Sequence, residues 1–77
     1  MKIDEKRIEE TARRIAIDIR SAISEHREMG KTNMRRSVGE RDMRILNRVM
    51  ELLKRDTGGS IYICSVHGPV VVIVDLI

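Results

Sequence analysis

Apolar and small side chains recur at Ile8, Ala12, Ile15, Ile19, Ala22 and Met29, with His26 in the same series. The steps alternate between four and three residues, which places the series along one seam of a helix and not on a strand. Ala16 and Ile23 widen the stripe on one flank. The pattern predicts a single amphipathic helix over about residues 4–29. Glu9–Arg13, Glu10–Arg14 and Arg14–Asp18 stand at i,i+4 on its polar side, each adding about 0.2–0.5 kcal/mol to an exposed helix. Gly30 supplies a stop, because glycine takes the left-handed conformation that closes a helix end.

Residues 30–37 show no periodicity and read as a loop. Ser37-Val38-Gly39-Glu40 matches a capping box, in which hydroxyl and carboxylate satisfy backbone N–H groups reciprocally. A second helix is therefore expected over about 38–56. Its apolar positions Met43, Ile45, Leu46, Val49, Met50, Leu52 and Leu53 cover two overlapping faces, so it should touch neighbours on two sides. Thr57-Gly58-Gly59 ends it.

Residues 60–66 and 70–77 are rich in β-branched side chains and bounded by turn formers, the signature of a hairpin. Pro69 lacks an N–H, so His67-Gly68-Pro69 should form a wider loop than a two-residue turn. In the second strand Val70, Val72, Val74 and Leu76 occupy one face, and Val71, Ile73, Asp75 and Ile77 the other. A surface hairpin needs only one apolar face, and an open apolar edge invites another chain. The expected fold is thus α+β, one domain in the order ααββ, with hairpins of different copies joined into an intersubunit sheet. The residues expected at that oligomer interface are Ile15, Ile19, Ile23, Val70, Val72, Val74 and Leu76.

Composition strengthens the expectation of self-association. The 77 residues contain one Cys and two His, which excludes a disulfide framework and leaves too few ligands for a metal cage. A chain of this size buries only about 60% of its unfolded surface, and without those staples a partner subunit is the remaining support. The longest apolar run, Val70–Val74, is far too short to cross a bilayer, and the first residues carry acids where a signal peptide has none. The cytoplasm is the expected compartment, and no cofactor is expected.

The net charge of +3 is unevenly placed. Residues 2–29 carry seven bases and seven acids, whereas residues 30–56 carry eight bases against four acids. Lys31, Arg35 and Arg36 precede the second helix, and Arg41, Arg44 and Arg48 run along it at i, i+3 and i+7. Guanidinium rows of this kind track phosphates, and backbone charge dominates nucleic-acid affinity. The competing reading is a solvated face, since Glu40–Arg44 and Glu51–Arg55 are i,i+4 partners. Arg35 and Arg36 have no local acid, so they are the stronger candidates. Lys6, Arg13, Arg20 and Arg27 repeat every seven residues, forming a stripe of about 30 Å. Such a row more often flanks a helix seam than binds a ligand.

The rest of the chemistry is sparse. Cys64-x-x-His67 has the spacing of a metal or nucleophile pair, but no second pair completes a tetrahedral site, and a strand Cys behaves as a small hydrophobe. Gly58-Gly59 follows a helix, whereas phosphate-binding glycines precede one. Tyr62 is the one aromatic residue, too few for a base-stacking platform. Asp75 is either a carboxyl buried in an apolar strand or a strand-end residue in water. No acid pair or nucleophile set marks an enzyme. Helix-turn-helix, winged-helix and ribbon-helix-helix arrangements all fail on element count or order.

The expected function is a small basic homodimer or higher oligomer without catalytic activity. The leading form is a nucleic-acid-associated regulator contacting duplex backbone through Lys31, Arg35, Arg36, Arg41, Arg44 and Arg48. The alternatives are a protein-interaction module acting as inhibitor or adaptor, and an oligomer that holds a small anionic ligand between subunits.

Overall fold

The computed structural model describes residues 2–57, 60–64 and 68–76. Helix α1 spans Lys2–Glu28, strand β1 Asn33–Val38, helix α2 Met43–Thr57, strand β2 Ile61–Cys64 and strand β3 Val70–Asp75. The three strands form one antiparallel sheet in the order β1-β3-β2. Both helices lie on the same side of it, α1 against β1 and α2, and α2 also against β2. The molecule measures 43 × 27 × 17 Å. Its long dimension is the length of α1, about 40 Å at 1.5 Å per residue.

Helix α1 follows the predicted seam. Ala12, Ala16, Ile19, Ala22 and Ile23 are buried, and Ile8 and Ile15 pack partly against the same core. Met29 departs from the series: it stands beyond the helix and is 66% exposed. The helix closes as a Schellman motif, with Gly30 N–H donating to the Arg27 carbonyl and Lys31 N–H to the His26 carbonyl, each at 3.0 Å. Gly30 holds φ at 72°, the left-handed value that this closure requires.

The expected α+β class and the order of helices and hairpin strands are present, with one addition. The segment expected as a loop over residues 30–37 contains β1, paired to β3 from Asn33↔Asp75 to Val38↔Val70. Only Met34 and Val38 are buried in it, so its burial repeats every four residues and hides the period of two. The intervening inward position is Arg36, which the strand's place at the sheet margin allows.

The start of α2 is also corrected. Ser37 lies within β1, so it caps nothing. The helix begins after Asp42, whose Oδ1 accepts the Arg44 N–H at 2.9 Å while its carbonyl accepts the Ile45 and Leu46 N–H groups. Glu40 Oε2 accepts the Arg41 and Asp42 N–H groups, each at 3.0 Å, and so orders the approach to the helix. From there Ile45, Leu46, Val49 and Leu53 are buried between α1 and the sheet. Thr57, a buried polar residue, donates its hydroxyl hydrogen to the Leu53 carbonyl at 3.0 Å.

Strand β3 is the centre of the molecule. Val70, Val72 and Val74 face the helices and are at most 4% exposed, while Met34 of β1 and Ile61 of β2 fill the same layer. The margin of β3 expected to lie open is therefore occupied by β1 of the same chain. Ile19, Ile23, Val70, Val72 and Val74, expected at an interface between copies, lie in the core of a single copy; Ile15 and Leu76 pack partly against it. The hairpin connection at residues 65–67, which includes His67, lies outside the described residues, as do Gly58, Gly59 and Ile77.

Candidate functional site

The arginines expected to contact phosphate do not form one surface. Arg36 and Arg35 are consecutive on a strand and point to opposite faces of the sheet. Arg36 turns toward α1 and grips Asp18 with both edges of its fork, Nε–Oδ2 at 2.7 Å and Nη2–Oδ1 at 3.0 Å. Arg44 bonds the Asp42 carboxylate at 3.0 Å. Arg48 holds Glu9 of α1 through two bonds of 2.7 and 2.9 Å and reaches Glu51 at 3.1 Å.

The proton affinities reflect how closely these groups are tied. Hydrogen bonds from Arg48 and then from Arg13 hold the Glu9 carboxyl at about 2, below its ordinary 4.5. Hydrogen bonds to Glu9 and then to Glu51 raise Arg48 further above its usual value. Bonds from the Arg44 side chain and backbone lower Asp42, and the Asp42 carboxylate raises Arg44 in return. Exposed pairs of this sort contribute little to stability. Their effect here is to place an acid beside each of three guanidiniums.

Lys31, Arg35 and Arg41 are exposed and enter no ion pair among the described residues. They are spread from one end of β1 to the approach of α2. Two members of the heptad row of α1 are likewise engaged with their own chain: Arg13 bonds Glu9 at 2.9 Å, and Arg20 donates to the Leu52 carbonyl at 3.1 Å. Arg20, Arg48 and Arg55 border a cleft of about 390 Å³ between the helices, together with Glu51 and Leu52. Glu51 reaches into that cleft's arginine cluster through its bond to Arg48.

The face of the sheet turned away from the helices is the other candidate. Register and alternation set Arg35, Ile73 and Tyr62 in one row across β1, β3 and β2, and Ser37, Val71 and Cys64 in the next. Asn33 and Asp75 begin a third. Tyr62 is 54% exposed, Ile73 and Val71 are half-buried, and Cys64 is exposed. Among the described residues no element covers this face. Asp75 is thus a strand-end residue in contact with water, exposed and free of any ion pair among the described residues, and Arg35 stands near it on the same surface.

Tyr62 escapes the sequence, where it counts only as an aromatic too lonely for stacking. Val71 and Ile73 are marked there as the second apolar face of their strand by alternation with Val70, Val72 and Val74, but are not among the residues expected at an interface.

Other candidates come to less. Cys64 is a free thiol on the open face, and its expected companion His67 is outside the described residues. Among the described residues no cluster of His, Cys, Asp or Glu has the grouping to hold a metal ion. The His26 ring donates from Nδ1 to the Ala22 carbonyl at 2.7 Å, a bond to its own helix. No described helix is long and apolar enough to cross a membrane. Comparison with family models, with curated proteins and with solved structures finds no match to this chain.

Proposed function

We propose that this chain is a protein-interaction module without catalytic chemistry, and that the open face of its sheet is the surface it uses. One observation carries the reading. Two helices cover one side of a three-stranded sheet, and the other side presents Tyr62, Ile73, Val71 and Cys64 to solvent within a polar rim. Contiguous apolar surface on a small domain marks an interaction site more often than chance, and an exposed Tyr within it is a favoured anchor. The internal pairing of Arg36, Arg44 and Arg48 weighs against a surface whose work is done by free positive charge.

The test is retention of binding proteins on the immobilised chain, compared between the wild type and Tyr62→Lys. Tyr62 is half exposed on a marginal strand, where lysine is tolerated, so the fold should persist. Proteins held by the wild type and by an Arg48→Ala control, but released by Tyr62→Lys, support the reading. The same set held by all three removes it.

A nucleic-acid-associated regulator is the second reading. It is favoured by the pI near 9.5 and by Lys31, Arg35 and Arg41, which stand without acidic partners among the described residues. Random duplex DNA should then bind at low salt and release steeply as salt rises, with a slope of about −0.9 per phosphate neutralised. Three free cations predict a shallow slope of about −3 on that basis, and Arg35→Ala should reduce it by about one. No retention at low ionic strength removes this reading.

A further inference from the structure

We infer that the occupant of the open sheet face is a second copy of this chain, seated face to face about a twofold axis, with Arg35 of each copy on Asp75 of the other. The inference rests on the open-face reading and adds the partner to it.

Among its described residues this otherwise apolar or neutral face carries one cation, Arg35, and one anion, Asp75, both exposed and neither in an ion pair with another described residue. The face is therefore complementary to itself. A twofold interface requires that residue i meet residue j while j meets i, so one axis makes two Arg35–Asp75 contacts at once.

Sheet geometry says whether one axis can do so. With strands about 4.8 Å apart and a two-residue repeat of about 6.8 Å, Arg35 lies about 5 Å to one side of Ile73 and Asp75 about 7 Å along β3 from it. The axis that exchanges those two points bisects the line between them. It passes within about 2 Å of Ile73 and of Tyr62, so these side chains meet their own copies at the centre. The strands of the two sheets then cross at about 70°, near the orthogonal class of sheet packing. The apolar pair occupies the middle and the charges occupy the rim, as a specific interface requires.

Area sets the strength. Strands of six, four and six residues present a flat face of about 260 Å² at about 3.4 Å per residue and about 4.8 Å per strand, against about 800 Å² on each partner in a standard stable complex. The dimer is accordingly reversible and dependent on concentration.

The test is sedimentation equilibrium or light scattering on the full chain up to about 1 mM, the weak end of specific association. Four samples are compared: wild type, Arg35→Asp, Asp75→Arg, and an equimolar mixture of the two variants. Both positions are exposed, so both variants should keep the wild-type circular dichroism spectrum. Each variant alone sets like charges face to face and should weaken self-association about a hundredfold or more. In the mixed dimer one contact joins the two introduced side chains and the other joins the two unchanged ones. Both contacts then pair opposite charges, so the mixture should recover the dimer. A wild-type dimer whose affinity ignores both substitutions overturns the inference. If Tyr62→Lys still dissociates that dimer, the open-face reading stands without it; if not, the dimer uses another surface and the open face is left to the retention experiment. A wild type that stays at 8.9 kDa up to the concentration limit overturns the inference and leaves the open face to the retention experiment.

Discussion

Replacing Met34 by alanine asks whether residues 33–38 are a strand closing the core or a loop beside it. Met34 is 1% exposed and stands opposite Val74, itself fully buried, in the layer facing the helices. Truncation removes three side-chain heavy atoms. At about 0.8 kcal/mol per methylene-sized group the transfer loss is about 2 kcal/mol, and the residual cavity adds to it at about 24 cal/mol per Å³. A marginal strand relaxes more easily than a central one, so the total should fall in the lower half of the 2–5 kcal/mol range, near 3 kcal/mol. For 77 residues the whole stability should be about 4 to 12 kcal/mol, so the loss is a large fraction of it. Thermal unfolding by circular dichroism, at a fixed protein concentration to hold any self-association constant, should show Tm lower by about 12–24 °C. Met43→Ala is the internal control, since Met43 is 56% exposed and surface changes usually stay within about 0.5 kcal/mol. If Met34→Ala unfolds within that margin of the wild type, the segment is a loop and the three-stranded sheet is wrong.

Three further outcomes follow from the same packing and charge. The Glu9 carboxyl sits near 2 in the folded chain instead of 4.5, so its ion pairs stabilise the fold above about pH 4.5 and lose that effect as pH falls toward 2. Glu9→Gln should therefore lower Tm at pH 7, and the gap to the wild type should close over that acid interval; a gap constant with pH would contradict the pairing. Gly30→Ala forces a side chain into φ 72° and should cost about 1–2 kcal/mol in urea unfolding, though it meets no neighbouring atom. Val72→Ala should cost about 2 kcal/mol and Val71→Ala less than about 1 kcal/mol, because only the first faces the helices. Equal losses in urea would mean that both faces of β3 are covered.

Much of the fold is legible where burial follows a simple period. Helix α1 is marked by its four-three alternation, and the hairpin strands by their β-branched runs. Strand β1 escapes because its inward sequence is Met34, Arg36, Val38: an arginine interrupts the pattern, and its partner Asp18 is eighteen residues away on α1. The cap of α2 escapes for a different reason. Ser37 and Glu40 have the spacing of a capping box, and spacing alone does not reveal that Ser37 is already paired in a sheet while Asp42 is free to cap. The site is legible in part. The excess of arginine is plain in the chain, but a count of charges does not show Glu9 arriving from one helix to hold Arg48 of another. The two apolar faces of β3 do signal an exposed surface. They suggest a shared margin only as long as β1, which closes that margin, is missing from the picture.

The strand at the middle of the sheet is synthesised after the other four described elements. Strands β1 and β2 do not pair with each other, and each waits for β3, which for Asn33 means a partner forty-two positions downstream at Asp75. A growing chain can wind its helices early, since those bonds are local, but it has nothing to lay them on until residues 70–75 emerge. Assembly of the core therefore waits for β3 to leave the ribosome and is limited by closing long loops, the slow route to a native state. Until then the apolar seams of both helices stay uncovered, which gives a nascent copy its greatest exposure to chaperones and to its neighbours on the same message.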